Sequence, residues 1–166
     1  TLLDQGETEF VRTELYSAKL PVNTVIKADL EYVSNHWNDP CFDLWEEVKA
    51  KHFYTKMVQR KALILGAQLA RRMDDPYAAD WYETQVWKLE ASILEHLNQG
   101  TDGILASLNW TEGLNSKHSN LDVAVLLGVL HGHQGRFLSY SHPKVERTFN
   151  ILESTFFGIY TQNGIN

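Results

Sequence analysis

The sequence is poorly provided for disulfide bonding, membrane crossing and nucleic-acid binding. Its 166 residues include one cysteine, Cys41, so no intrachain disulfide can form and any core must hold by packing. The longest nearly unbroken apolar run, residues 123–130, is far short of the ~20 residues of a membrane-spanning helix. Thr1-Leu2-Leu3-Asp4-Gln5 has neither the basic nor the apolar region of a signal peptide. Cations are the minority, 15 Lys and Arg against 21 Asp and Glu for a formal net charge of −6, whereas nucleic acid is gripped through clustered cations. No membrane or nucleic-acid partner is expected. Glycines are scattered, with no phosphate-binding loop and no Gly-x-Ser-x-Gly. His131 and His133 lack a suitably spaced Cys or acid and read as helix-end or loop residues rather than zinc ligands. Cys41 has no local His or Lys and reads as a packed or idle thiol. Neither a metal nor another cofactor is expected.

What the chain does have is apolar and aromatic surface. Hydrophobic residues make up 43 % and charged residues 22 %, with five Trp, seven Tyr and seven Phe. That composition belongs to a packed globular chain, and flat aromatic faces suit a thick core, a sugar-stacking surface, or both. Helical periodicity dominates. Ile26, Leu30, Val33 and Trp37 share one face of a helix over about 24–37, with Asn23 or Thr24 as cap and Asn38-Asp39-Pro40 as its end. A second stripe, Tyr54, Val58, Ala62, Leu65 and Leu69, predicts a helix over about 54–72. Asp75-Pro76 reads as the start of the next, with Tyr82, Val86, Leu89, Ile93 and Leu97 inward and a stop near Gly100. Trp81 and Trp87 on that segment read as helix packing. Ser119 or Asn120 is expected to cap a helix over about 121–130 that is apolar nearly all round, hence buried on most sides. A last helix is expected over about 143–160, carrying Val145, Phe149, Leu152 and Phe156. Strand-like alternation is scarce, with at most a short extended piece within 103–109. The class expected is all-α, with antiparallel helix pairs.

One segment stands apart. Phe42-Asp43-Leu44-Trp45-Glu46-Glu47 puts three acids and two aromatics in six residues at an expected helix–helix junction. On composition this is either a solvated turn or an acid/base constellation in which an indole desolvates a carboxyl and turns it into a proton donor. Adjacent Glu46 and Glu47 point apart and cannot be an acid–base pair. Asp43 and Glu46 would lie only ~5–6 Å apart at Cβ on a helix, whereas inverting glycoside hydrolysis separates its carboxyls by ~6.5–9.5 Å. A second catalytic carboxylate is therefore expected from elsewhere in the fold.

Phe42-Asp43-Leu44-Trp45-Glu46-Glu47-Val48 resembles the active-site motif of the glucoamylases, glycoside hydrolase family 15. The flanks agree: Ile26-Lys27-Ala28-Asp29-Leu30-Glu31-Tyr32-Val33 and Trp37 before it, His52-Phe53-Tyr54-Thr55, Leu126-Leu127-Gly128 and Ile159-Tyr160-Thr161 after it. The resemblance implies an (α/α)6 barrel, of which this chain is a part. It also implies release of β-D-glucose, with inversion, from non-reducing ends of starch, glycogen and maltooligosaccharides. Glu46 matches the general acid. Asp43 matches an aspartate described as proton acceptor, for which the spacing favours a supporting electrostatic role. Leu44, Trp45 and Glu47 match residues that line or hydrogen-bond the sugar subsites. Asp39-Pro40 and Ala50 depart from the family pattern around the motif.

No Trp-Thr-Arg-Asp, Trp-Gly-Arg-Pro or Gly-Arg-Tyr-Pro-Glu-Asp occurs, so residues 1–166 are expected to be a central part of the catalytic domain, incomplete at both ends. The resemblance implies that the base lies outside the chain and that the remainder of the domain is required, and the isolated piece is expected to be inactive. Asn109-Trp110-Thr111 is a glycosylation sequon, in keeping with a secretory route and a secreted or vacuolar protein. A non-catalytic helical binding or scaffold protein that keeps a glucoamylase-like core is the alternative.

Overall fold

The computed structural model describes residues 1–113 and 119–159. The expectations that touch Tyr160, Thr161 and residues 163–166 lie outside them. A 3-10 turn at Leu3–Gln5 precedes α1 (Thr8–Phe10), which runs into a π-turn over Val11–Leu15. Then follow α2 (Val25–His36), β1 (Cys41–Phe42), β2 (Val48–His52), α3 (Phe53–Arg72), α4 (Pro76–Glu95), β3 (Ser107–Gly113), α5 (Ala124–Gly132) and α6 (Pro143–Ile159). Helices α2 to α6 fall where apolar periodicity puts them, whereas the short helical turns within residues 3–15 are not read from the sequence. The departure is a three-stranded antiparallel sheet in the order β1-β2-β3, so the acidic motif is a hairpin turn and not a helix–helix junction. Its central strand, Val48-Lys49-Ala50-Lys51-His52, alternates buried Val48, Ala50 and His52 with half-buried lysines, the period-two signature of a strand.

The chain divides into two units, Thr1–Asn38 with Gln59–Glu90 and Asp39–Val58 with Ala91–Asn166. In the first, Ile26, Leu30 and Val33 of α2 face Ala62, Leu65 and Leu69 of α3 across a cleft of about 290 Å³. Lys27 is buried here. Its Nζ lies 2.7 Å from Asp75 Oδ2 and 3.1 Å from Glu31 Oε1, while the Tyr16 hydroxyl donates to Asp75 at 2.9 Å and the Tyr82 hydroxyl to Glu31 at 2.8 Å. Asp75 also accepts from the Ala78 amide at the start of α4. Thr24 does not cap α2 with its side chain; its hydroxyl accepts from the Ser17 amide instead. On α4, Tyr82, Val86 and Leu89 are buried, but Trp81 is 42 % and Trp87 76 % exposed. Neither tryptophan is core, because both lie off the packed face; the Trp81 indole is held by Ser34 Oγ at 3.1 Å.

In the second unit the buried residues of α3 are Phe53, Lys56 and Met57, one position off the stripe read from the sequence, because Lys56 is accommodated by polar partners. Its ammonium donates to Ser92 Oγ at 2.7 Å, to the Ser92 carbonyl at 3.5 Å and to His96 Nε2 at 3.4 Å. Three N–H groups thus meet three acceptors. α5 lies against α3 through two glycines. A Cβ at Gly132 would sit 2.6 Å from the Met57 carbonyl carbon, and one at Gly128 would sit 3.0 Å from Tyr54 Cα. The opposite side of α5 is not buried: Leu130 is 72 % exposed, and Leu126, Leu127 and Leu130 line an apolar cleft of about 660 Å³ with Val145 and Phe149 of α6. Thr148 of α6 accepts from the Ile104 amide at 2.8 Å.

Candidate active site

The turn between β1 and β2 is built by Asp43. Its amide donates to the Val48 carbonyl at 2.9 Å, and its Oδ1 accepts from the amides of Glu47 at 2.7 Å and Val48 at 3.2 Å. A short acceptor side chain folding back onto following amides is what Asp contributes to turns. The Glu46 amide closes the turn on the Asp43 carbonyl at 3.1 Å, and Glu46 has φ 59°. A non-glycine residue in this left-handed region carries strain of about 1–2 kcal/mol, and such strain collects at functional positions. The turn therefore presents Glu46 outward. Its side chain is exposed, as are Leu44 and Trp45 at 43 % and 46 %; Glu47 is half-buried. Of the two readings that composition left open, a solvated turn or an acid desolvated by an indole, the exposure of Glu46 matches the first.

Behind the turn, β3 makes a close approach. Gly113 pairs with Val48, has φ 133°, and a Cβ there would lie 2.4 Å from the Glu47 carbonyl oxygen. β2 pairs with β3 at Lys49↔Glu112 and Lys51↔Leu108, so Asn109, Trp110 and Thr111 bulge opposite Ala50 alone. Asn109 is exposed at φ 55°, and the Thr111 hydroxyl donates to the Lys49 carbonyl at 3.0 Å.

Four residues that the motif does not include hold this arrangement. His52 is buried at the hairpin base, with Nε2 2.9 Å from the Cys41 carbonyl and 3.1 Å from that of Val48, and Nδ1 2.8 Å from Ser107 Oγ. Carbonyls only accept, so Nε2 carries the proton and Nδ1 accepts from the serine. Burial pushes the imidazole below its ordinary value, in keeping with that neutral tautomer. Asn120 does not cap α5. Its amide group accepts from the Ser107 amide and donates to the Ser107 carbonyl, both at 2.7 Å, which ties the loop before α5 to β3. Asp122 takes the capping role, accepting from the Ala124 amide at 2.8 Å, and the Trp45 indole N–H donates to its two carboxylate oxygens at 3.0 and 3.1 Å. The sequence places His52 only in the flank His52-Phe53-Tyr54-Thr55, with no role; partners 13 to 77 residues apart leave no local signal. Among the described residues no group of three or more His, Cys, Asp or Glu is placed to hold a metal ion, and no helix is long and apolar enough to cross a membrane.

The hairpin turn thus carries an exposed acid, Glu46, next to an indole that is hydrogen-bonded to Asp122. Comparison with known proteins gives the family. The model of the glycosyl hydrolases family 15 matches residues 10–164, and the chain belongs to that family. It is 38 % identical over 161 residues to a glucoamylase of Blastobotrys adeninivorans, covering 96 % of this chain and 26 % of that protein. It is 37 % identical over 136 residues to glucoamylase 1 of Rhizopus oryzae, covering 81 % of this chain and 22 % of that protein. Among solved structures, the Saccharomycopsis fibuligera glucoamylase superposes with TM-score 0.74 at 28 % identity, over 84 % of this chain and 30 % of its own. The Hormoconis resinae glucoamylase superposes with TM-score 0.76 at 26 % identity, over 99 % and 26 %. The expected class, helical and part of an (α/α)6 barrel, is the fold matched. The chain spans about a quarter of the length of the curated relatives it matches.

Proposed function

We propose that this chain is the acid-bearing part of a glucoamylase catalytic domain, a glucan 1,4-alpha-glucosidase that releases β-D-glucose from non-reducing ends of starch, glycogen and maltooligosaccharides with inversion. The observation that carries the reading is the strained turn presenting Glu46 beside Trp45, in a chain 38 % identical to a glucoamylase over 161 residues. Glu46 protonates the glycosidic oxygen as the bond breaks. Asp43 is a turn-building and electrostatic support rather than the proton acceptor, since its Oδ1 already serves two backbone amides. Leu44 and Trp45 offer exposed apolar surface to the sugar rings, and Glu47 a carboxylate to their hydroxyls. The base that activates water comes from a part of the domain beyond these residues, as do the remaining walls of the substrate site. The share of the relatives' length that this chain spans supports reading it as one segment of a larger domain. The exposed sequon asparagine on the β3 bulge supports glycosylation at Asn109 and a secreted protein, with the vacuole as the other destination of the same route.

Glu46→Gln in the full-length polypeptide tests the reading. A general acid contributes about 10²–10⁴-fold, so glucose release from maltoheptaose should fall by that factor while the folded protein is retained. Wild-type activity in this variant would return the chain to a non-catalytic helical scaffold.

A further inference from the structure

Trp45 poses a problem of order. Its ring is 46 % exposed on a turn, where an indole would ordinarily sample several rotamers, yet a ring that meets substrate must be held in one. The indole N–H is shared between both carboxylate oxygens of Asp122, 77 residues away, and a hydrogen bond with one ionised partner is stronger than a neutral one. Asp122 is itself immobilised. Its Oδ1 accepts from Ala124 at the start of α5, and α5 is seated on α3 at Gly128 and Gly132, where added Cβ atoms would strike Tyr54 and Met57. On its N-terminal side the same loop is tied by Asn120 to Ser107, whose hydroxyl meets His52 at the base of the acid hairpin. Surface position makes the Trp45–Asp122 contact a poor contributor to folding; what it does is fix one exposed ring, one residue from Glu46.

We propose that Asp122 is a positioning residue for the substrate site, pre-ordering the Trp45 indole so that glucan binding does not have to immobilise it. The proposal rests on the glucoamylase reading above. Immobilising one side chain on binding weakens affinity by about three- to tenfold. The contact serves ground state and transition state alike, so its loss should appear in KM rather than kcat.

The test uses the full-length polypeptide with maltoheptaose as substrate. Asp122→Ser keeps a capping oxygen for Ala124 but is too short to reach the indole. KM should rise about three- to tenfold while kcat stays within about twofold. Asp122→Asn, which keeps an acceptor at the right reach, should recover at least half of the lost kcat/KM. In a Trp45→Phe background, which has no N–H to hold, Asp122→Ser should add less than about a 1.5-fold further change, since the two sites act as one unit. An unchanged KM in Asp122→Ser overturns the proposal, as does the same KM increase with Phe at position 45. The underlying reading fails separately: Glu46→Gln with wild-type turnover removes both, whereas an inactive Glu46→Gln alongside an unaltered Asp122→Ser removes the positioning role alone.

Discussion

Raising the pH from 7 to about 9.5 should stabilise this protein through one side chain, Lys56. The residue is 2 % exposed, and burial lowers its ammonium from 10.5 to about 8, with Glu95 partly opposing and Lys51 adding to the shift. His96 cannot relieve the charge. Its Nδ1 donates to the Leu105 carbonyl at 2.8 Å, its Nε2 accepts from Lys56, and burial with the neighbouring ammonium takes it down to about 3. The folded state therefore holds a proton on Lys56 less firmly than the unfolded chain does. Between pH 8 and 10.5 the unfolded chain binds more protons, so this contribution to stability rises with pH. The full span, at 1.36 kcal/mol per pH unit, is about 3 kcal/mol, and about 2 kcal/mol of it is realised by pH 9.5. Other groups titrate over the same range, so the quantity to measure is the difference between wild type and Lys56→Met. Urea unfolding at pH 7, 8, 9 and 9.5 should show wild type gaining about 2 kcal/mol on the variant across the series. Parallel pH profiles for the two proteins would refute the reasoning, since they would mean that burial does not penalise the Lys56 charge.

Two further outcomes follow from packing and charge. Gly132→Ala places a Cβ 2.6–2.7 Å from Met57 backbone atoms, which cannot rotate away as a side chain tip would. The urea midpoint should fall, with a cost of about 1–3 kcal/mol, and an unchanged midpoint would mean that α5 and α3 are not in contact there. Asp75→Asn strips Lys27 of its 2.7 Å charged partner while Glu31 remains at 3.1 Å, and should cost about 1–3 kcal/mol at neutral pH. The Asp75 carboxyl is shifted below 3.8, its burial outweighed by hydrogen bonds from Lys27 and Tyr16 and the Lys27 charge. Its contribution is therefore complete above about pH 3.8 and lost as pH falls through the lower folded value. Acid titration of unfolding should show the wild type converging on the variant below pH 4, and a constant gap would contradict the pairing.

The sequence by itself determined the helices and the motif. Repeats of three and four residues in apolar positions mark the inward faces of α2 and α4, and Asp75-Pro76 marks a helix start, because these are local properties of spacing and backbone chemistry. Phe42-Asp43-Leu44-Trp45-Glu46-Glu47-Val48 was legible as a candidate acid loop without any coordinates. Tertiary structure alone decided how that loop is held. Two-residue β1 is too short to show a period, Trp81 and Trp87 look as apolar as Tyr82 until the packed face of α4 is seen, and Lys56 reads as surface until Ser92 and His96 arrive from α4 and its C-terminal end. His52, Ser107, Asn120 and Asp122 bear no common pattern. They meet because pairing β2 with β3 and seating α5 on α3 brings distant polar groups within hydrogen-bond reach, and a bond between residues far apart in the chain leaves no trace in local spacing.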